Sequence, residues 1–144
     1  MKPETQLYKT LKQKLNRYPI ELKRIENDIE LGTPDLYYYT IYTEGWIELK
    51  QIKSLPKQAS TKIKIPFRPG QYAWLLDRVR LNPMLHSFLV VKIEERLYVF
   101  YNSQIQEAYT LGELLAKNCF NQSLVGLVPK DLFECIALVK NKNM

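Results

Sequence analysis

Residues 32–50 read Gly32-Thr33-Pro34-Asp35-Leu36-Tyr37-Tyr38-Tyr39-Thr40-Ile41-Tyr42-Thr43-Glu44-Gly45-Trp46-Ile47-Glu48-Leu49-Lys50. A Gly/Pro turn delivers an aspartate to the entry of a run, Leu36 to Thr43, whose tyrosines, isoleucine and threonines are a β composition. A second strand follows over Trp46 to Ile52. In it Glu48 and Lys50 are two apart and project from one face, while Ile47 and Leu49 point to the other, toward a core. The alternation fixes the register, because a slip of one residue would bury both charges.

The connection between these strands decides whether Asp35 and Glu48 meet. A tight reversal at Glu44-Gly45 would pair Glu48 with Ile41 and leave Asp35 roughly 20 Å away. A wider reversal centred nearer Ile41 to Thr43, or a bulge in the tyrosine run, would bring the two acids together. We expect the wider turn.

Working outward, Leu7, Leu11 and Leu15 recur at a spacing of four with lysines between them, which predicts an amphipathic first helix over Glu4 to Leu15. Ile20 to Asn27 alternates with mixed faces, as a short strand or one near an edge would. Ser54 to Lys64 mixes Pro56, Lys57, Lys62 and Lys64 with polar residues and reads as a basic loop. A second helix is predicted to begin near Pro69 and to carry Trp74, Leu75 and Val79. Ser87 to Lys92 and Arg96 to Tyr101 read as strands, Thr110 as the cap of a helix over Leu111 to Lys117, and Asp131 to Val139 as a last short element. The expectation is a single domain over 1–144, with a core over about 1–102 and a helical or irregular extension over about 103–144.

The chain is 46% hydrophobic and 25% charged, ordinary for a globular protein. At 144 residues it is long enough to bury roughly two-thirds of its unfolded surface. No apolar run approaches the roughly 18 residues of a membrane span, and Met1-Lys2-Pro3-Glu4 lacks the apolar stretch of a signal peptide. A cytoplasmic protein is therefore expected, in the host cytoplasm if the chain is viral, with no membrane partner. Cys119 and Cys135 with one histidine make no familiar zinc spacing and read as two buried free thiols. A net charge of +6 favours a polyanion but is shared by many proteins that never meet DNA.

Four segments, Arg24-Ile25-Glu26-Asn27, Gly32-Thr33-Pro34-Asp35, Trp46-Ile47-Glu48-Leu49-Lys50 and Arg68-Pro69-Gly70-Gln71, occur in an order that resembles the PD-(D/E)xK nuclease superfamily. More narrowly they are similar to small single-domain nucleases of the VRR-NUC and phage Holliday-junction-resolvase type. The resemblance implies an α/β (α+β) fold with a restriction-endonuclease-like core, a central mixed sheet flanked by helices in the order αβββαβ. It also implies magnesium, with manganese able to substitute, bound by Asp35 and Glu48, and a Lys50 that orients water or steadies the charged phosphate. Magnesium takes hard oxygen ligands and keeps several waters, which is why carboxylates are wanted there.

The same superfamily commonly adds a further acid. Glu26 and Glu4 are the candidates, although Glu4 also suits the first turn of a helix on dipole grounds alone. Gln71 could meet the scissile phosphate or the attacking water, and Arg68 could clamp a backbone phosphate. Arg24, Lys53, Lys57, Lys62 and Lys64 complete the expected contacts to DNA, duplex or branched. Tyr37, Tyr38, Tyr39 and Tyr42 could stack on unpaired bases, but alternate tyrosines in a strand read first as cover for a core. His86 receives no role. The function implied is a metal-dependent DNA endonuclease, and the narrower resemblance implies resolution of branched DNA by a homodimer. An inactive nucleic-acid-binding module, or a subunit of a larger DNA-processing complex, is the alternative.

Overall fold

A computed structural model describes residues 3–25, 32–82 and 84–139. Leu7 and Leu11 line one side of helix α1 (Pro3–Lys14), and Leu15 follows its end, all three buried. Glu4 in the first turn and Lys12 and Lys14 in the last suit the helix dipole.

The central hairpin uses the wider reversal. Strands β2 (Leu36–Tyr39) and β3 (Glu44–Ile52) are antiparallel, with Leu36 opposite Ile47 and Tyr39 opposite Glu44, so the loop is Thr40 to Thr43. Thr40 builds it. Its N–H donates to the Thr43 carbonyl at 2.8 Å, and its Oγ1 accepts from the N–H groups of Tyr42 and Thr43, each at 3.0 Å. The first strand, β1 (Glu21–Arg24), pairs antiparallel with β2 and forms one edge of the sheet.

Gly45, which reads as a turn residue, lies inside β3. It pairs in parallel with His86 of β5 (His86–Ile93), and a Cβ at that position would collide with the His86 carbonyl. Gly45→Ala is expected to lower stability by about 1–3 kcal/mol, because the two strands must part to admit a methyl group. Urea unfolding will show it as a lower midpoint at unchanged slope. A loss within the roughly 0.5 kcal/mol of neutral surface changes would contradict the close approach.

The six-stranded sheet runs β1-β2-β3-β5-β6-β8, where β6 is Arg96–Tyr101 and β8 is Phe120–Ser123. Among the described residues only β3 and β5 pair in parallel, joined through a crossover that contains helix α2 (Gln71–Leu81). Buried on both faces, β5 shows the continuous apolar run Phe88-Leu89-Val90-Val91. Ile47, Leu49, Phe88 and Val90 face α1 and helix α4 (Pro129–Ala137), which contributes Leu132, Phe133 and Ile136. Leu89, Val91, Ile93, Tyr98 and Phe100 form a second core with Leu75 of α2 and Leu114 of helix α3 (Leu111–Lys117). Thr110 caps α3 as expected, in a reciprocal box with Glu113.

Residues after 102, expected as an extension, supply the sixth strand and parts of both cores. The basic loop also ends in structure. Ile63–Lys64 is a short strand, β4, paired with β7 (Ala108–Tyr109), because Ile63 and Ile65 must be buried among these otherwise polar residues. Cys119 and Cys135 are free and buried, with sulfurs 3.1 Å apart. Their mutual hydrogen bond first, and burial second, hold the Cys135 thiol well above its usual range. No helix among the described residues is long and apolar enough to cross a membrane.

Candidate active site

One residue beyond the last β2–β3 pair, Asp35 comes opposite Glu48. Each acid is held by the other strand's backbone. The Asp35 N–H donates to Glu48 Oε1 at 3.1 Å, and the Leu49 N–H donates to Asp35 Oδ2 at 2.9 Å. The Ile25 N–H bonds the Asp35 carbonyl at 2.9 Å, tying the residue to the chain after β1 as well.

The turn before Asp35 is pressed against the start of α2. Gly32 has φ +94°, and a Cβ there would lie 2.7 Å from the Gly70 carbonyl oxygen, so glycine is required both by the backbone and by the space. This contact brings Arg68 to the site: its Nη2 lies 3.9 Å from Asp35 Oδ1, with most of the side chain exposed. In the sequence Gly32 and Gly70 read as two separate turns, and only their spatial meeting shows that they set the distance between Asp35 and Arg68.

Glu48 and Lys50 share a face and form an ion pair, Oε2 to Nζ 3.1 Å, with Glu48 fully buried and Lys50 3% exposed. Lys50 Nζ also lies 5.9 Å from the centre of the Phe67 ring, a neighbour the sequence gave no reason to single out. Burial first, and the charge of Asp35 second, push the Glu48 carboxyl up to about 8, against the opposing pull of Lys50. Among the described residues Glu48 Oε2 makes no aligned hydrogen bond, and its near neighbour is the Lys50 ammonium at 3.1 Å.

Gln71 is at the first position of α2, where it was expected, but it is buried. Its Oε1 accepts from the Arg68 N–H at 2.8 Å, bracing the loop that carries Arg68, and among the described residues its buried Nε2 has no hydrogen-bond partner. Lys53, Lys57, Lys62, Lys64 and Arg68 are exposed. Arg24 turns toward α1, donating to Thr5 Oγ1 at 2.9 Å with its guanidinium 5.9 Å from the Tyr8 ring. Glu4 is half-buried, and Glu26 lies outside the described residues. Among the described residues no group of three His, Cys, Asp or Glu side chains is placed to hold a metal ion, so Glu4 does not join Asp35 and Glu48 in one.

No family model matches the chain, and no curated protein was found similar to it in sequence. Among solved structures the chain is similar to Hjc, a Holliday junction resolvase from the archaeal hyperthermophile Archaeoglobus fulgidus. The TM-score is 0.59 at 13% identity, covering 77% of this chain and 91% of that one. At this identity the likeness is one of fold: a mixed α/β architecture with a central mixed sheet flanked by helices, restriction-endonuclease-like as expected.

Proposed function

We propose that this chain is a magnesium-dependent DNA endonuclease of the PD-(D/E)xK type that acts on branched or otherwise structured DNA. The observation that carries the reading is the meeting of Asp35 and Glu48, thirteen residues apart, with the Lys50 ammonium against Glu48 and Arg68 at the rim. The likeness of fold to a Holliday junction resolvase supports it.

The donor set suits magnesium, or manganese in its place. Two carboxylates from neighbouring strands, Asp35 and Glu48, offer the hard oxygens that such a cation takes. A magnesium ion held by Asp35 and Glu48 supplies Lewis-acid stabilisation of the charge that grows on a phosphodiester during hydrolysis. Glu48 must first give up its proton, and the adjacent Lys50 favours its charged form. Lys50 then stands with its ammonium beside the reacting phosphate, where it steadies developing charge or orients water. Arg68, exposed and 3.9 Å from Asp35, clamps a neighbouring backbone phosphate. Lys53, Lys57, Lys62 and Lys64 extend the basic surface, Gln71 positions Arg68, and Glu26 is the further acid.

The test is cleavage of supercoiled plasmid, single strands, flaps and four-way junctions by purified protein with magnesium or manganese. Cleavage of at least one is expected. Failure on all of them overturns the reading, and salt-sensitive binding without cleavage would assign the chain to nucleic-acid-binding modules instead. Sedimentation will show whether two copies associate to present two sites to two strands. Arg68→Ala is expected to weaken DNA binding without altering the melting temperature and to reduce the salt slope by about one unit, as loss of one phosphate contact does. An unchanged slope would remove Arg68 from the interface.

A further inference from the structure

The face that carries Asp35 and Glu48 continues along the strands as an aromatic row. Two residues further on each strand, Tyr37 faces Trp46, about 7 Å from the acids, with ring centres 5.2 Å apart. Trp46 meets Trp74 of α2 edge to face at 4.9 Å, and the Arg78 guanidinium lies 4.1 Å over Trp74. On the other side Lys23 of β1 stands opposite Tyr37, exposed. Tyr38 is in the core as the sequence predicts, but Tyr37 and Tyr39 belong to neither core. Tyr37 is half-buried and Tyr39 exposed, while Trp46 and Trp74 rest their inner sides on the second core.

The next row reverses the charge. Tyr39 is flanked by Glu21 on β1 and Glu44 on β3, and burial first and the charge of Glu44 second hold the Tyr37 hydroxyl above its usual range. A phosphate backbone would be repelled from that row. The favourable ground is therefore short: two carboxylates suited to a metal, then an aromatic surface with a cation at either side, then an acidic border.

Resting on the nuclease reading, we propose that Tyr37 and Trp46, backed by Trp74 and Arg78, form a stacking platform for one unpaired nucleobase of the strand being cut. The base would lie next to the scissile phosphate, and the substrate class would be DNA with a base free to leave its stack, at a junction, flap or single strand. Every base offers a π-face, so such a platform selects unpaired character without selecting sequence. A duplex keeps its bases stacked on one another and cannot use it. The adjoining row of acids limits the platform to about one nucleotide, which favours a distorted position over a long single-stranded track.

Binding measured without divalent metal separates this proposal from the nuclease reading. Labelled single strands and four-way junctions, each with one abasic position, are scanned by fluorescence anisotropy. For the wild-type protein, base loss at one or two positions next to the branch is expected to weaken binding about tenfold. In Tyr37→Leu, which keeps an apolar β-forming residue, that sensitivity is expected to vanish, and Trp46→Leu with a matched melting curve should repeat it. Abasic sensitivity absent from the wild type, or undiminished in Tyr37→Leu and in the double variant with Tyr39→Leu, overturns the platform. So does a changed oligomeric state with unchanged DNA binding, which would make the row a protein contact. Cleavage without base-dependent binding sinks the platform and leaves the nuclease; base-dependent binding without any cleavage does the reverse.

Discussion

Asp35→Asn is expected to lower magnesium-dependent cleavage by roughly a hundred- to a thousandfold, the cost of losing one main charge-stabilising group at a reacting centre. Asparagine is the informative replacement. The Asp35 side chain accepts the Leu49 N–H at 2.9 Å, and an amide oxygen can keep that bond, whereas alanine would leave a backbone donor unpaired at a cost of about 1–3 kcal/mol. DNA binding without metal should be unchanged or tighter in the variant, because a negative charge has left a surface that meets phosphates. Removing that charge also relieves Glu48, whose carboxyl it helps to hold up. The readout is initial cleavage rate at saturating magnesium beside metal-free binding and a melting curve. A variant that folds and retains a tenth or more of the wild-type rate would take Asp35 out of the chemistry.

The meeting of Asp35 with Glu48 was legible only in part, and the reason lies in two residues. Glu44-Gly45 has the composition of a tight turn, yet Gly45 is glycine because the His86 carbonyl approaches too closely for a Cβ, a constraint from a strand forty residues away. The reversal is made by the Thr40 hydroxyl, and a threonine in a β-rich run carries no local mark of that duty. What sequence could supply was the face: Glu48 and Lys50 together, Ile47 and Leu49 opposite. The expectation that only a slipped register would bury the two charges does not hold, because both faces of β3 are covered there and Glu48 and Lys50 are as buried as Ile47 and Leu49.

Elements with their own local signal were read correctly, such as the leucines of α1 and the Thr110 cap of α3. Those that depend on a distant partner were not. Strands β4 and β7 have two residues each and exist only as a pair, and β8, Phe120-Asn121-Gln122-Ser123, lacks the composition of a strand and is held by β6. Tyr37 and Tyr39 were read as core cover because alternation marks two faces without saying which one is covered. Here α1 and α4 bury Tyr38, and on the other face Tyr37 is half-buried and Tyr39 exposed beside the site.

Stability should fall with rising pH in the metal-free protein, and Glu48→Gln should abolish the fall. The Glu48 carboxyl titrates at about 8 in the folded chain, above its ordinary 4.5, chiefly because it is fully buried and then because Asp35 is adjacent. Below 4.5 folded and unfolded chains both hold the proton, and the native state carries no penalty. Between 4.5 and 8 the unfolded chain releases a proton that the folded chain keeps, so stability declines as pH rises, and it levels off above 8 once both are ionised. The total is on the order of a few kcal/mol, enough to move the melting temperature by several degrees. Glutamine can still accept the Asp35 N–H through its amide oxygen and does not ionise, so its melting temperature should stay level between pH 5 and 9 and exceed the wild-type value at the alkaline end. Magnesium should narrow the gap at high pH, where the carboxylate is already formed, and below pH 8 its apparent affinity should drop about tenfold per pH unit for the one proton displaced. Melting curves at five pH values, with and without magnesium, measure both effects. A wild-type protein whose stability is flat over this range would mean that Glu48 is ionised throughout, and that the buried pair with Lys50 outweighs the loss of solvent.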